Sequence, residues 1–224
     1  PPPTSTLELD RRQRQMCIRD RIWAALEGRV PDRVIVPAGD GNILSGMWKG
    51  WRELEIVGLI DRLPKIDCAQ SNRSDAISRT VRRMSASSQP DWATATPVSV
   101  EASTVADSIS VDRPRDGLAA TRAVIESGGI AVTVTDKQIL AAIPEMASQS
   151  GIFPEPAAAT PLAAAKMMVK QGLVAADEIV VCLVSGNGLK DIERARTVTT
   201  EPLIIDPSLD AVEMAIAGIA KKAS

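Results

Sequence analysis

Apolar and polar residues along the chain alternate between short apolar runs typical of strands and longer stretches with helical spacing. The apolar runs that predict strands lie at residues 34–37, 66–70, 129–134 and 178–184. Stretches in which apolar residues recur every three or four positions predict helices at residues 44–57, 116–127, 136–150, 157–171 and 208–222. Because strands and helices follow one another in turn, the pattern predicts a three-layer α/β fold: a mainly parallel sheet with helices on both faces.

Local signals support several of these boundaries. Asp116 can cap the start of one helix, and Gly128-Gly129 follow its end as a C-terminal cap requires. Thr135 and Gln138 have the spacing of a capping box, and Pro144 is expected to kink or split the helix that follows. The clearest apolar stripe begins after a glycine-rich turn and consists of Leu44, Met47, Trp48, Trp51 and Leu54.

Three segments do not follow this rhythm. Residues 1–21 combine a proline-rich start with a basic run, and residues 13–21 resemble a translated sequencing adapter, so we interpret this leader as not native. A basic nucleic-acid arm and a transit peptide are the alternatives. The polar segment 79–97 is predicted to be a loop. Residues 197–224 are predicted to form a tail with a strand at 203–205 and a closing helix, which leaves residues 22–196 for the main domain.

The composition excludes several kinds of catalytic and metal-binding site. The 224 residues include no histidine, which excludes a Ser-His-Asp or Cys-His nucleophile and any histidine metal ligand within this chain. The three cysteines have no CxxC spacing, which is typical of reduced thiols in a cytoplasmic protein. The net charge of −2 gives no reason to expect nucleic acid. No apolar run reaches about 18 residues, so no membrane span is predicted.

The first of two glycine-rich turns is Gly39-Asp40-Gly41-Asn42, which leads from a predicted strand into a helix. It is not a P-loop, because no Gly-Lys-Ser/Thr follows, and Leu44 stands where a dinucleotide fingerprint needs its third glycine. Glycines let the backbone approach a ligand closely, and the N–H groups at a helix start favour an anion. A tight turn without a ligand is the alternative on spacing alone.

The second turn, Ser185-Gly186-Asn187-Gly188, directly follows the apolar run at 178–184. In parallel sheets ligands bind beyond the carboxyl ends of the strands, so the two turns are predicted to face one crevice. The hydroxyl of Ser185 can donate and accept hydrogen bonds there, which suits a neutral ring nitrogen. We therefore predict that a phosphorylated ligand binds in this crevice.

Several segments also occur in the order and spacing of a known enzyme family. They lie at residues 37–51, 63–70, 102–109, 126–129, 151–159 and 185–191. Together they resemble the threonine synthases, which are fold type II pyridoxal-phosphate enzymes, over residues 22–192. The resemblance implies that residues 22–196 are the C-terminal part of the cofactor-binding domain, a truncated part of the three-layer fold.

The resemblance also implies a function. Threonine synthases use pyridoxal 5′-phosphate to convert O-phospho-L-homoserine and water to L-threonine and phosphate, so the expected substrate is a small amino-acid phosphate. The full-length parent is expected to be a homodimer. Ser185 stands where threonine is more usual in the family. The residues implied to bind the cofactor are Gly39, Asp40, Gly41, Asn42 and Ile43, through its phosphate, and Ser185, through its pyridine nitrogen.

Departures from the family pattern limit what this chain can do. Asp40 suits a phosphate site only if its carboxylate points away. Glu155 would lie near the cofactor ring or serve as a buried N-cap, and Lys49 and Lys190 are solvated residues or assist phosphate binding. The family's Schiff-base lysine, in a Ser-Phe-Lys-Asp-type context before the phosphate loop, has no counterpart here, so no catalytic residue is predicted and the fragment is expected to be inactive alone.

Other functions fit the same residues. Threonine or serine dehydratases and cysteate synthase-like enzymes share the fold and both glycine turns. Ser185 favours the dehydratases slightly, whereas residues 103–106 and 48–51 favour threonine synthase. A phosphate-binding module without catalytic activity is the alternative from another class.

Overall fold

The fold is built on a parallel sheet, in a computed structural model that describes residues 17–87, 91–199 and 203–223. The four strands are β1 (Arg33–Pro37), β2 (Lys65–Ser71), β3 (Ala131–Val134) and β4 (Val180–Cys182). They lie in the order β3-β2-β1-β4, and each neighbouring pair is parallel. The predicted parallel α/β sheet is therefore confirmed.

The helices fill the connections between strands. They are α1 (17–25), α2 (Asn42–Ile56), α3 (Ala76–Ser85), α4 (Gly117–Glu126), α5 (Asp136–Ser150), α6 (Pro156–Lys170), α7 (Ile192–Arg196) and α8 (Leu209–Ala223). All five predicted helices are present. The capping box of Thr135 and Gln138 starts α5, and this helix continues through Pro144 without being split, with the proline on its exposed side.

The sheet separates two apolar cores, because successive strand residues point to opposite faces. Val34, Val36 and Ile66 pack with the buried stripe of α2 and with residues of α4. Ile35 and Ala69 face the other way and pack with α5 and α6. Burial on both faces explains why residues 34–36 of β1 form a continuous apolar run rather than an alternating one. The prediction of helices on both faces is confirmed.

A buried ionic network ties the amino-terminal ends of the strands together. Nη1 of Arg33 lies 3.1 Å from both carboxylate oxygens of Asp67, and its Nε lies 3.0 Å from Glu178. The third nitrogen, Nη2, donates to the carbonyl of Leu173 at 3.1 Å. Asp67 also accepts a hydrogen bond from the N–H of Ile130 at 2.8 Å. The network thus links β1 and β2 to the segments that enter β3 and β4.

Glu178 should make the stability of the chain sensitive to acid. Burial alone would raise the pKa of Glu178, but hydrogen bonds from Arg33 and the Ala175 N–H outweigh it and lower the pKa. The stability that this shift contributes is present above pH 4.5, the ordinary value, and is lost as the pH falls through the lower folded value. We expect urea unfolding to show a larger loss of stability between about pH 6 and about pH 3 in the wild type than in Glu178→Gln. Equal losses in both chains would contradict this.

The prediction of a loop at 79–97 is wrong for its first part, where α3 extends to Ser85. Ile77 and Val81 form its buried stripe together with Met84. Small polar residues hid this helical period, although Ser78 and Thr80 are themselves buried. Residues 88–90 lie outside the described part of the chain, and residues 91–97 contain turns but no helix or strand.

The two ends of the chain differ from the predicted organisation. Residues 1–16 of the predicted leader lie outside the described residues, whereas residues 17–21 belong to α1, which continues to residue 25. Ile18 and Ile22 of this helix pack against the core. In the tail, α8 is present but the described residues 203–206 form no strand and are exposed, so that part of the prediction is wrong. Residues 203–205 pair with none of the four described strands.

Two of the cysteines lie within the sheet. Burial raises the pKa of the Cys68 thiol, and it raises that of the Cys182 thiol to about 11. Both side chains are therefore unreactive thiols at neutral pH. Across the residues described, none of the helices combines the length and apolar character that crossing a membrane requires.

Candidate functional site

The two glycine turns line one cavity of about 280 Å³ beyond the carboxyl ends of β1 and β4. The structure therefore brings together all the residues that the sequence predicted for the ligand site. Pro37, Glu155 and Lys190 also line the cavity. So do Ser108 and Ile109, which sequence reasoning did not assign to the site. The lining residues are Pro37, Gly39, Asp40, Gly41, Asn42, Ile43, Ser108, Ile109, Glu155, Ser185 and Lys190.

The first turn presents the amino terminus of α2 to the cavity. Gly41 is the N-cap residue of α2, with a left-handed φ of 90° that glycine adopts without strain. No side chain caps this helix, and its first turn contains no acidic residue. The N–H groups of the first turn are therefore available to an anion, and the helix dipole favours negative charge at this end.

The glycines of this turn are needed for close packing as well as for access of a ligand. A β-carbon on Gly41 would lie 2.8 Å from the β-carbon of Ala120 and 2.9 Å from the carbonyl oxygen of Asp116. A β-carbon on Gly39 would lie 2.9 Å from the α-carbon of Ile109. All three distances are too short for real contacts, so the turn can lie this close to residues 109, 116 and 120 only with glycine at both positions.

The carboxylate of Asp40 is engaged by the segment that enters α4. Its Oδ1 accepts a hydrogen bond from the N–H of Arg115 at 3.2 Å. The carbonyl oxygen of Asp40 accepts a second bond from the N–H of Asp116 at 2.9 Å. The first bond engages the carboxylate with a backbone donor, and the second holds the main chain of the turn.

Gln70 fixes the backbone just before the first turn, a role that sequence reasoning missed. Its Nε2 donates to the carbonyl oxygen of Ala38 at 2.9 Å. Its Oε1 accepts hydrogen bonds from the N–H and the hydroxyl of Ser78, at 2.8 and 2.9 Å. A buried amide near the carboxyl end of β2 was the available signal, because buried polar groups need partners.

The second turn is held against the segment that precedes α6. The N–H of Glu155 donates to the carbonyl of Gly186 at 3.1 Å, and the N–H of Gly188 donates to the carbonyl of Phe153 at 2.8 Å. A β-carbon on Gly186 would lie 2.2 Å from the Oε1 of Glu155. Among the described residues no hydrogen bond engages the hydroxyl of Ser185, which is exposed to the cavity.

Glu155 is the charged group buried in the cavity wall. It occupies the N-cap position of α6, but its side chain makes no capping bond. Instead, its Oε2 accepts a hydrogen bond from the hydroxyl of Ser108 at 3.0 Å and lies 3.2 Å from the Nζ of Lys190. The same Nζ donates to the Ser108 hydroxyl at 2.8 Å. The three side chains therefore form one connected cluster.

The other lysine beside the first turn has no such role. Lys49 forms an ion pair with Glu53 at 2.6 Å on the exposed face of α2, which agrees with its interpretation as a solvated residue. A larger cavity of about 520 Å³ lies between α5 and α6, and its charged residues include Glu145 and Lys166, which pair with each other. None of the predicted ligand residues lines it.

The residues at the carboxyl ends of the strands fit a phosphorylated ring compound. Uncapped backbone N–H groups lie at the first turn, where a phosphate would bind. An unengaged hydroxyl lies at the second turn, on Ser185, where it can meet a ring nitrogen. Since both turns line the same cavity, one small molecule can contact both.

Comparison with known sequences identifies related proteins. Residues 12–186 match a family described as “Pyridoxal-phosphate dependent enzyme”. The chain is 35% identical to the threonine synthase of Methanosarcina acetivorans over 92% of this chain and 49% of that protein. It is also 35% identical to the threonine synthase of Methanocaldococcus jannaschii, over 89% of this chain and 47% of that protein. The chain thus spans about half the length of the curated relatives it matches.

Solved structures share the fold. A fungal L-serine ammonia-lyase from Rhizomucor miehei superposes with a TM-score of 0.65 at 18% identity, covering 83% of this chain and 56% of that chain. The processed form of threonine deaminase isoform 2 from Solanum lycopersicum gives a TM-score of 0.60 at 18% identity, covering 83% of this chain and 48% of that chain. At this identity the likeness shows the fold alone.

Proposed function

Because the chain belongs to the family of pyridoxal-phosphate-dependent enzymes, we propose that it is the C-terminal, phosphate- and ring-binding part of a threonine synthase-like enzyme. The observation that carries the proposal is the meeting of the two glycine turns in one cavity. The identity to two threonine synthases supports the choice of this enzyme within the family.

The chain's own groups would divide the binding of the cofactor between them. The backbone from Gly39 to Ile43, with the first-turn N–H groups of α2, would hold the phosphate. The hydroxyl of Ser185 would bind the pyridine nitrogen and, as a neutral partner, leave it largely unprotonated. Pyridoxal 5′-phosphate, when bound, supplies an electron sink for reactions at the carbons of an amino acid.

The parent enzyme would convert O-phospho-L-homoserine and water to L-threonine and phosphate. Within the described residues, Lys190 is the one lysine that lines the cavity, and its ammonium group is engaged by Glu155 and Ser108. A lysine that moves protons between substrate carbons must therefore come from the half of the enzyme that this chain does not include. The chain alone would be catalytically inert.

Ser185 gives a test of the ring site that is separate from the phosphate site. Pyridoxamine 5′-phosphate is a suitable probe because it carries the ring and the phosphate but no aldehyde that could react with surface lysines. We expect Ser185→Ala to weaken its binding about tenfold, the effect of one lost hydrogen bond to an otherwise unpaired ring nitrogen. Binding of inorganic phosphate should not change. Fluorescence titration with both ligands measures this, and equal weakening for both would contradict the assignment.

The reaction itself can be tested by joining the chain to the missing half. We would fuse it to the N-terminal half of the Methanosarcina acetivorans threonine synthase, the relative with 35% identity. Release of phosphate and L-threonine from O-phospho-L-homoserine by the fusion, but not by the chain alone, is the expected result. Threonine formation by the isolated chain would contradict the proposal.

A dehydratase is the second candidate, because the hydroxyl at the ring-nitrogen position belongs to Ser185 rather than to a threonine. The same fusion would then release ammonia and a 2-oxo acid from L-threonine or L-serine. A fusion that binds the cofactor and turns over none of these substrates would instead favour a phosphate-binding module.

A further inference from the structure

The cavity contains a charge arrangement that needs an explanation. A site for a phosphate dianion should repel carboxylates, yet Asp40 and Glu155 both line it. Asp40 is bonded to the backbone N–H of Arg115, which removes the difficulty on that side. Among the described residues no backbone N–H bonds to the carboxylate of Glu155, whose side chain is 5% exposed. A buried carboxylate of this kind requires a countercharge.

Lys190 supplies that countercharge. Its Nζ lies 3.2 Å from the Oε2 of Glu155, and the hydroxyl of Ser108 bonds to both groups. We propose that Lys190 is a positioning residue of the cofactor site. Its ammonium group neutralises Glu155 and holds the carboxylate in the wall, and it does not itself bind the cofactor phosphate. This inference rests on the proposed function, because the cavity must receive an anionic cofactor.

A neighbouring cavity bears on how Lys190 can neutralise Glu155 and leave room for the cofactor. This neighbouring cavity, of about 330 Å³, is lined by Asp107, Asp191 and Arg194 among others. It shares Ser108, Glu155 and Lys190 with the cavity at the glycine turns. The three shared residues therefore form a wall between the two cavities. The side chain of Lys190 is 62% exposed, whereas that of Glu155 is buried. The lysine side chain is thus exposed at this wall, while its ammonium group contacts the buried carboxylate.

The arrangement predicts a particular pattern of variants. Lys190→Met leaves Glu155 as an uncompensated charge beside the phosphate site, and we expect it to weaken binding of pyridoxamine 5′-phosphate about tenfold. Lys190→Arg should bind as the wild type does. In the double variant Lys190→Met/Glu155→Gln neither charge remains, so affinity should return to within about threefold of the wild type. The double variant should also bind as well as Glu155→Gln alone, whereas a direct phosphate ligand at position 190 would leave the double variant weaker than Glu155→Gln.

The experiment uses the 224-residue chain in fluorescence titrations, with thermal unfolding measured on the same samples. Lys166→Met is the matched control, since Lys166 is a lysine of α6 that pairs with Glu145, is 56% exposed and lies outside the site. It should leave the affinity unchanged. A loss of melting temperature in Lys190→Met without a loss of affinity would show a structural role only and overturn the inference.

The possible failures are distinguishable. If the wild-type chain does not bind pyridoxamine 5′-phosphate, the proposed function fails and this inference fails with it. If the wild type binds but Lys190→Met binds equally well, the proposed function stands and the inference is wrong. If Lys190→Met is weak and the double variant is equally weak, Lys190 is a phosphate ligand, which also overturns the inference.

Discussion

Gly41→Ala should reduce the affinity of the chain for pyridoxamine 5′-phosphate by about 100-fold or more, the result of strain and steric overlap in one tight turn. Gly41 has a φ of 90°, and its added β-carbon would lie 2.8 Å from the β-carbon of Ala120. The turn can relieve this overlap only by moving away from α4, which displaces the N–H groups that start α2. Inorganic phosphate should lose affinity as well, in contrast to its expected behaviour with Ser185→Ala.

Gly58 provides the matched control for this experiment. It also has a left-handed conformation, with a φ of 73°, but apart from its two chain neighbours no atom of the described residues lies within 4 Å of an added β-carbon. Gly58→Ala should therefore cost about 1 kcal/mol of stability through backbone strain and leave ligand affinity unchanged. Equal affinities of the Gly41→Ala chain and the wild type would show that the first turn is not the phosphate site. Equal losses in both variants would show that only global stability was affected.

Arg33→Met should destabilise the chain by about 3–5 kcal/mol, the cost of removing one partner from a buried ion pair. Asp67 is completely buried, and Arg33 binds both of its carboxylate oxygens. Burial already raises the pKa of Asp67, even though the Ile130 N–H and Arg33 oppose that effect. Without Arg33, folding would bury an uncompensated carboxylate or force it to take up a proton. Urea unfolding followed by circular dichroism measures the loss.

Two further variants distinguish the effect of losing the buried ion pair from the effect of losing any arginine charge. Arg62→Met removes an arginine from an exposed pair with Asp32, in which the arginine side chain is 48% exposed, and should cost less than about 1 kcal/mol. Arg33→Met/Asp67→Asn keeps an acceptor for the Ile130 N–H without the charge and should recover most of the lost stability. If Arg33→Met and Arg62→Met cost the same, the network does not hold the strands together in the way described.

The secondary structure of the main domain could be predicted because its signals are local. Apolar spacing in α2, the capping box at Thr135 and the glycines after α4 each act within a few residues, and the structure has these elements where the sequence indicates them. The two failures have different causes. Small hydroxyl residues in α3 hid its apolar stripe, which is a local cause. Residues 203–205 have strand-forming side chains but pair with none of the described strands, and pairing is decided by tertiary contacts.

The amino-acid order was thus sufficient for the α/β pattern, for the two glycine turns and for the expectation that they face one ligand. Folding in three dimensions was needed to show the contacts around them. Ser108 forms hydrogen bonds with Glu155, 47 residues away in the sequence, and with Lys190, 82 residues away. Gln70 bonds to Ala38, 32 residues away. Spacing along the chain does not predict such pairs, because they form only when separate strands and helices pack against each other.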